Sequence, residues 1–177
     1  MTTDSDTMQP RLHLRFPRTL SPLDYFAGAF VFAVSLAVYV KTLAPTVYGE
    51  DSGELVAAAD TLGIPHPTGY PLWCILAKVF MIVVYTGDSA WRANLFSALC
   101  GSAAAMCTAW IICLTTRHRI AAIAASLSLA FSLEFWEQSV IAEVYALNAL
   151  IAAACILLLL LWSETRRNIF LYAAGLL

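Results

Sequence analysis

The stretch from Ala93 to Thr116 carries no charged side chain and closes on Arg117, His118 and Arg119. About 20 consecutive apolar residues suffice for a helix to cross the hydrocarbon core of a bilayer, where a helix satisfies its own backbone hydrogen bonds. This one run points to a membrane protein. The rest of the chain agrees: 60% of its 177 residues are hydrophobic, only 12% are charged, and the mean hydropathy is +0.75. A soluble domain of this length has too little interior to hide that much apolar surface. The net charge of −2 gives no reason to expect nucleic acid, because in such a chain the informative quantity is where the charges sit. Cys74, Cys100, Cys107, Cys113 and Cys155 fall in apolar stretches without a CxxC pair, so they read as small buried hydrophobes.

Further spans flank this run. Asp24 to Lys41 follows "SPLD", in which Ser21 suits the cap, Pro22 the first helical position and Asp24 the reciprocal capping site. The segment starts well inside the chain and offers no convincing cleavage site after it, so it reads as a retained span rather than a signal peptide. Ile120 to Phe135 and Val144 to Trp162 are the next candidates, and a run from Ile169 to Leu177 has about half the length a span requires. The expected organisation is an N-terminal tail over 1–22 and a transmembrane domain over 23–177. Its spans lie near 23–42, 92–116, 119–136 and 143–162, with a partial one at 169–177 and a long loop at 43–91. The chain thus reads as the N-terminal portion of a longer protein. The fold class is an all-α polytopic helix bundle with interfacial helices in its first outer loop.

Tyr70 to Thr86 is apolar but short, and Lys78 falls at its midpoint. A cation at mid-bilayer costs roughly 2.5–3.5 kcal/mol on insertion scales. A helix lying in the interface avoids that cost and lets Lys78 reach the headgroups. Under this reading seven of the ten Lys and Arg share one side with the N-terminus: Arg11, Arg15, Arg18, Arg117, Arg119, Arg166 and Arg167. The positive-inside rule then makes the N-terminus cytoplasmic and the location a cell membrane. It also places Glu50, Asp51, Glu54, Asp60, Asp88, Glu134, Glu137 and Glu143 outside. Ala93, Ser97, Gly101, Ala105 and Ala109 recur every fourth residue, as do Ala122, Ser126 and Ala130, a spacing that lets helices approach closely.

Four of the eight outer carboxylates sit in "GEDSGELVAAADTLGIPHPTGYP", from Gly49 to Pro71. A short helix is expected from Asp51, with Leu55, Ala58, Ala59 and Leu62 on one face and Gly63 and Pro65 as the stop. Asp51 and Glu54 neighbour one another at its start. Two uses compete and are compatible: capping the helix, or holding a carboxylate ready to take a proton from an acceptor hydroxyl. His66 stands on a loop stiffened by Pro65, Pro67 and Pro71, either as a structural hydrogen-bonder or as part of an active site.

"DSGELVAAADTLGIPHPTGYPLW", followed by "WRANLFSAL" and "WEQSVIAEVYALNAL", resembles a family long catalogued as a domain of unknown function and related to protein O-mannosyltransferases, in the GT-C class of membrane glycosyltransferases. The likeness runs in order from Leu43 to Trp162. It implies transfer of a sugar, mannose in the first instance, from a polyprenyl-phosphate carrier to an extracytoplasmic protein or glycan. By the same resemblance Asp51 is the general base and Glu54 its partner. His66 contacts the sugar-phosphate, Arg92 pairs with the carrier phosphate, and Glu143 faces the same cavity. Headgroup anchoring by Arg92 and a helix-start role for Glu143 are the bland alternatives. No cofactor is expected, and a divalent metal on Asp51 and Glu54 is not favoured, because two carboxylates three apart are a weak metal signal. The competing class is a noncatalytic membrane subunit or transporter fragment whose outer acids cap helices.

Overall fold

The computed structural model describes residues 19–177, so Arg11, Arg15 and Arg18 lie outside the described residues. Those residues form eight helices and no strands: α1 (Pro22–Thr42), α2 (Ser52–Thr61), α3 (Pro71–Val83), α4 (Ser89–Thr116), α5 (Arg119–Ala130), α6 (Leu133–Val140), α7 (Tyr145–Thr165) and α8 (Asn168–Leu176). α1, α4 and α7 are long and apolar enough to cross a membrane. The chain is therefore a multi-pass membrane protein of all-α architecture.

α4 is the axis of the bundle, packed by α1, α5, α6 and α7. Its small-residue ridge makes this possible: Ala93, Ala105 and Ala109 have no exposed surface, Ser97 only 1%, and the ridge on α5 is equally buried. With lipid outside, such contacts are held by close backbone approach rather than by a hydrophobic drive. Gly101 shows how close. A Cβ built there would lie 2.3 Å from Ser139 Oγ and 2.9 Å from Ser139 Cβ. The hydroxyl cannot simply swing aside without losing its 2.6 Å bond to the Phe135 carbonyl. Gly101→Ala is expected to destabilise the bundle by about 1–3 kcal/mol, the usual cost of overpacking, read as a lower melting temperature in a thiol-reactive dye assay. The buried thiols of Cys74, Cys100, Cys107 and Cys113 make that assay informative.

The expected third span is broken. α5 and α6 meet at Phe131–Ser132 with a bend of 65°, and they count as one crossing only as a bent pair. Ser132 Oγ turns back to the Leu129 carbonyl at 2.8 Å, and beyond it Glu134, Glu137 and Gln138 put polar groups on α6 that hydrocarbon would not solvate. α6 instead docks on the end of α1: Trp136 Nε1 donates to Thr42 Oγ1 at 3.0 Å, and Ala44 N donates to the Val140 carbonyl at 3.1 Å.

α3 is too short to cross, as expected from its composition. Trp73, Cys74, Ala77 and Met81 pack inward, while Ile75, Val79, Ile82 and Val83 stay exposed, an apolar outer face suited to lipid. Lys78 differs from expectation: its ammonium donates to the Asp60 carbonyl and lies 3.2 Å from the Asp60 carboxylate, tying α3 to α2 instead of reaching for headgroups. At the opposite end of the bundle the capping box at Ser21 and Asp24 is present. There Asp24 also receives Arg119 Nε at 2.8 Å, joining α1 to α5.

Candidate functional site

The site end of the bundle is assembled from α2, the loop into α3 and the α6–α7 turn, all seated on α4. Asn94, fully buried, donates to the carbonyls of Ala44 and Thr46 at 2.8 and 3.2 Å and so anchors the segment that leads to Asp51. Glu143 closes the other side. Its carbonyl accepts Trp73 Nε1 at 3.0 Å and Ser97 Oγ at 3.3 Å, linking α3 and α4 to the turn before α7.

α2 begins and ends differently from its sequence expectation. Leu55, Ala58 and Ala59 bury as expected, but Leu62 is 60% exposed and takes the left-handed conformation that ends the helix, the role expected of Gly63. Asp51 occupies the N-cap position and its side chain caps nothing. That removes the capping account of this carboxylate: it is 59% exposed and turned toward His66. Glu54 does not close a capping box either. Its Oε1 accepts the His66 backbone N–H at 2.6 Å, and its Oε2 lies 3.0 Å from His66 Nδ1.

The imidazole is thus held at two points by one carboxylate. With Glu54 ionised, the proton resides on Nδ1 and donates to Oε2, which leaves Nε2 as the free nitrogen. Nε2 lies 3.6 Å from Asp51 Oδ2 and 3.5 Å from the Tyr70 hydroxyl, whose ring meets the imidazole edge-on at 5.4 Å. The bonds from His66 hold the Glu54 carboxyl below its ordinary value. Tyr70 was not singled out from sequence, although its place four residues after His66 in "HPTGYP" was the available signal. Glu54→Ala is expected to free the loop, seen as faster amide hydrogen exchange at His66 with exchange in the α4 core unchanged.

Glu143, whose carboxylate accepts from the Asp51 backbone, is 3% exposed. Burial raises its carboxyl above the ordinary range, and the charges of Asp51 and Glu50 push the same way, against backbone N–H groups of Val144 and Asp51 that favour the anion. Its Oε1 has no hydrogen-bond partner. Arg92 stands apart. Its guanidinium donates to the carbonyls of Met81 at 2.7 Å and Asp88 at 3.1 Å and to Ser89 Oγ at 3.3 Å, so it clamps the α3–α4 turn.

Beside the cluster, a groove of about 580 Å³ runs between α6 and α7. Leu129, Phe135, Tyr145 and Ala149 give it an apolar lining, and Glu50 and Glu134 give it acidic walls. Gln138 Nε2 reaches Glu50 Oε2 at 3.4 Å. The break between α5 and α6 contributes to this groove, a feature that hydropathy, reading one continuous span, did not show.

These features define a class: a multi-pass helical membrane protein with carboxylates and a histidine gathered on one end of its bundle. The particular family follows from comparison. Residues 51–175 match the Protein O-mannosyl-transferase TMEM260 N-terminal domain, and the chain belongs to that family. It is 38% identical over 120 residues to the mouse protein O-mannosyl-transferase TMEM260, covering 68% of this chain and 17% of that protein. A Dictyostelium discoideum protein O-mannosyl-transferase tmem260 is 27% identical over 138 residues, covering 77% of this chain and 17% of its own length. The chain therefore spans about a sixth of the length of these curated relatives. No solved structure matches.

Proposed function

We propose that this chain carries the acidic half-site of a GT-C-type glycosyltransferase that moves mannose from a polyprenyl-phosphate carrier to a hydroxyl of an extracytoplasmic protein. The observation that carries this reading is the convergence of Asp51, Glu54 and His66, whose ligand atoms lie within 4.8 Å of one another. Asp51, exposed and capping nothing, is the base that takes the proton of the acceptor hydroxyl. Glu54 orients His66, and His66 presents Nε2 toward the reacting groups at the donor phosphate. A carboxylate–imidazole–carboxylate chain of this kind positions its groups before substrate arrives, which is where such sites gain their rate.

The groove beside Glu50 suits the acceptor rather than the carrier. Its acidic walls would repel a phosphate, whereas a polypeptide can lay apolar residues against Phe135 and Tyr145 and present a hydroxyl near Asp51. Arg92, to which the resemblance gives the carrier phosphate, is engaged with the carbonyls of the α3–α4 turn. In this orientation the N-terminus is cytoplasmic, the cluster is extracytoplasmic, and α3 rests on the outer leaflet. The test is transfer of mannose from polyprenyl-phosphate mannose by the whole protein and its Asp51→Asn form; unchanged transfer would support a noncatalytic subunit instead.

A further inference from the structure

The outward nitrogen of His66, Nε2, has only a long 3.5 Å contact with the Tyr70 hydroxyl. Nδ1 is committed to Glu54, so Nε2 faces Asp51 Oδ2 with a lone pair opposite a carboxylate oxygen. Neither atom has a proton to offer when Asp51 is ionised, and 3.6 Å is too long for a hydrogen bond in any case. That separation suits two atoms sharing a cation between them. A carboxylate behind Nδ1 is also the usual way a metal-binding imidazole is oriented, with its tautomer fixed so that Nε2 is free to ligate.

Glu143 is a carboxylate 3% exposed, in contact with the Asp51 backbone and in the field of Asp51 and Glu50, and its Oε1 has no partner. An unpaired buried oxygen calls for a hydrogen-bond donor or a positive charge beside it. Among the described residues, the ion pairs of Asp51 and Glu54 are with His66 alone. Two carboxylates, those of Asp51 and Glu54, thus face one imidazole, and the ligand atoms of the three lie within 4.8 Å of one another. Spacing along the chain made a metal on Asp51 and Glu54 unattractive; folding brings His66 in from a different segment and changes the donor set to mixed nitrogen and oxygen.

We propose that Asp51 and His66 bind a divalent cation of the Mn²⁺ class, His66 through Nε2 and Asp51 through one carboxylate oxygen, with Glu54 orienting the imidazole from behind. Two protein donors and open positions are typical of cations that complete their shell with water and substrate phosphate. Asp51 keeps its second oxygen for the acceptor proton. The binding site itself does not depend on the transferase reading, and its test uses no sugar.

The experiment is a Mn²⁺ titration of the full chain in nanodiscs of zwitterionic lipid, followed by electron paramagnetic resonance of free Mn²⁺, with Mg²⁺ and Zn²⁺ as competitors. One equivalent is expected to bind. Asp51→Asn and His66→Gln are each expected to raise the Kd by at least about tenfold, and Glu54→Gln by about tenfold through loss of orientation. Glu134→Gln, on α6, is expected to leave it unchanged. Pulsed measurements on the wild-type complex should show the nitrogen coupling of a directly bound imidazole, retained in His118→Gln. This second readout stands even if the cluster variants fold poorly. Absence of stoichiometric binding overturns the proposal, as does bound Mn²⁺ without nitrogen coupling. Failure of Asp51→Asn to reduce transfer, by contrast, overturns the base assignment and leaves the cation site intact.

Discussion

Asp51→Asn is expected to reduce mannose transfer by about 10²–10⁴-fold, the range over which a positioned general base contributes, while the melting temperature stays close to that of the unaltered protein. The two halves of this expectation rest on different observations. Loss of activity follows from replacing the proton-accepting oxygen by an amide, which keeps the shape and removes the basicity. Retention of stability follows from what Asp51 does not do. Its side chain makes no cap to α2, and it is 59% exposed, so the substitution strands no buried donor. The measurement is initial rate with polyprenyl-phosphate mannose and an acceptor polypeptide, beside a thiol-dye melt of the same sample. A variant that melts normally and transfers normally would remove Asp51 from the chemistry. One that melts early would show that the carboxylate supports the α2 start after all.

The bundle was legible because its cues are local. Charge-free runs and every-fourth small residues are one-dimensional signals, and Ala93, Ser97, Ala105 and Ala109 became the buried ridge of α4. The cap at Ser21 with Asp24 was equally readable, since capping relates residues three apart. What failed depended on distant partners. The break at Phe131–Ser132 arises where an apolar helix meets the polar side chains of α6, and hydropathy averaged over the stretch blends the two. Lys78 reads from sequence as a headgroup contact because Asp60, eighteen residues earlier, comes close to it only after α2 and α3 fold together. The site shows the same division. Asp51 and Glu54 are neighbours by helical spacing, but the grip of Glu54 on both the backbone and ring of His66 spans twelve residues and a proline-rich loop. Tyr70 and the Glu50 groove came into view only with that geometry.

At the opposite end of the bundle the largest stability effect is expected, and it is asymmetric. Asp24 is 2% exposed and holds Ser21 N at 2.8 Å, Ser21 Oγ at 2.7 Å and Arg119 Nε at 2.8 Å, whereas the Arg119 side chain is 44% exposed. Removing the arginine leaves a buried carboxylate facing only the cap of its own helix. Arg119→Met should therefore cost about 3 kcal/mol, the low end for breaking a buried pair because water can partly replace the half-exposed partner. Asp24→Asn keeps most of the cap and lets Arg119 turn to solvent, so it should cost about 1 kcal/mol, close to the value of one cap interaction. The decisive arm is the double variant. Once Asp24 is neutral, the arginine has no buried charge to compensate, and Asp24→Asn combined with Arg119→Met should be more stable than Arg119→Met alone. Thiol-dye melts of the four forms supply the cycle. Additive losses would mean that α1 and α5 are held by packing of Ala27, Cys113 and Ala122 without help from the ion pair. A double variant that recovers stability would show that one buried carboxylate sets the register of the two helices.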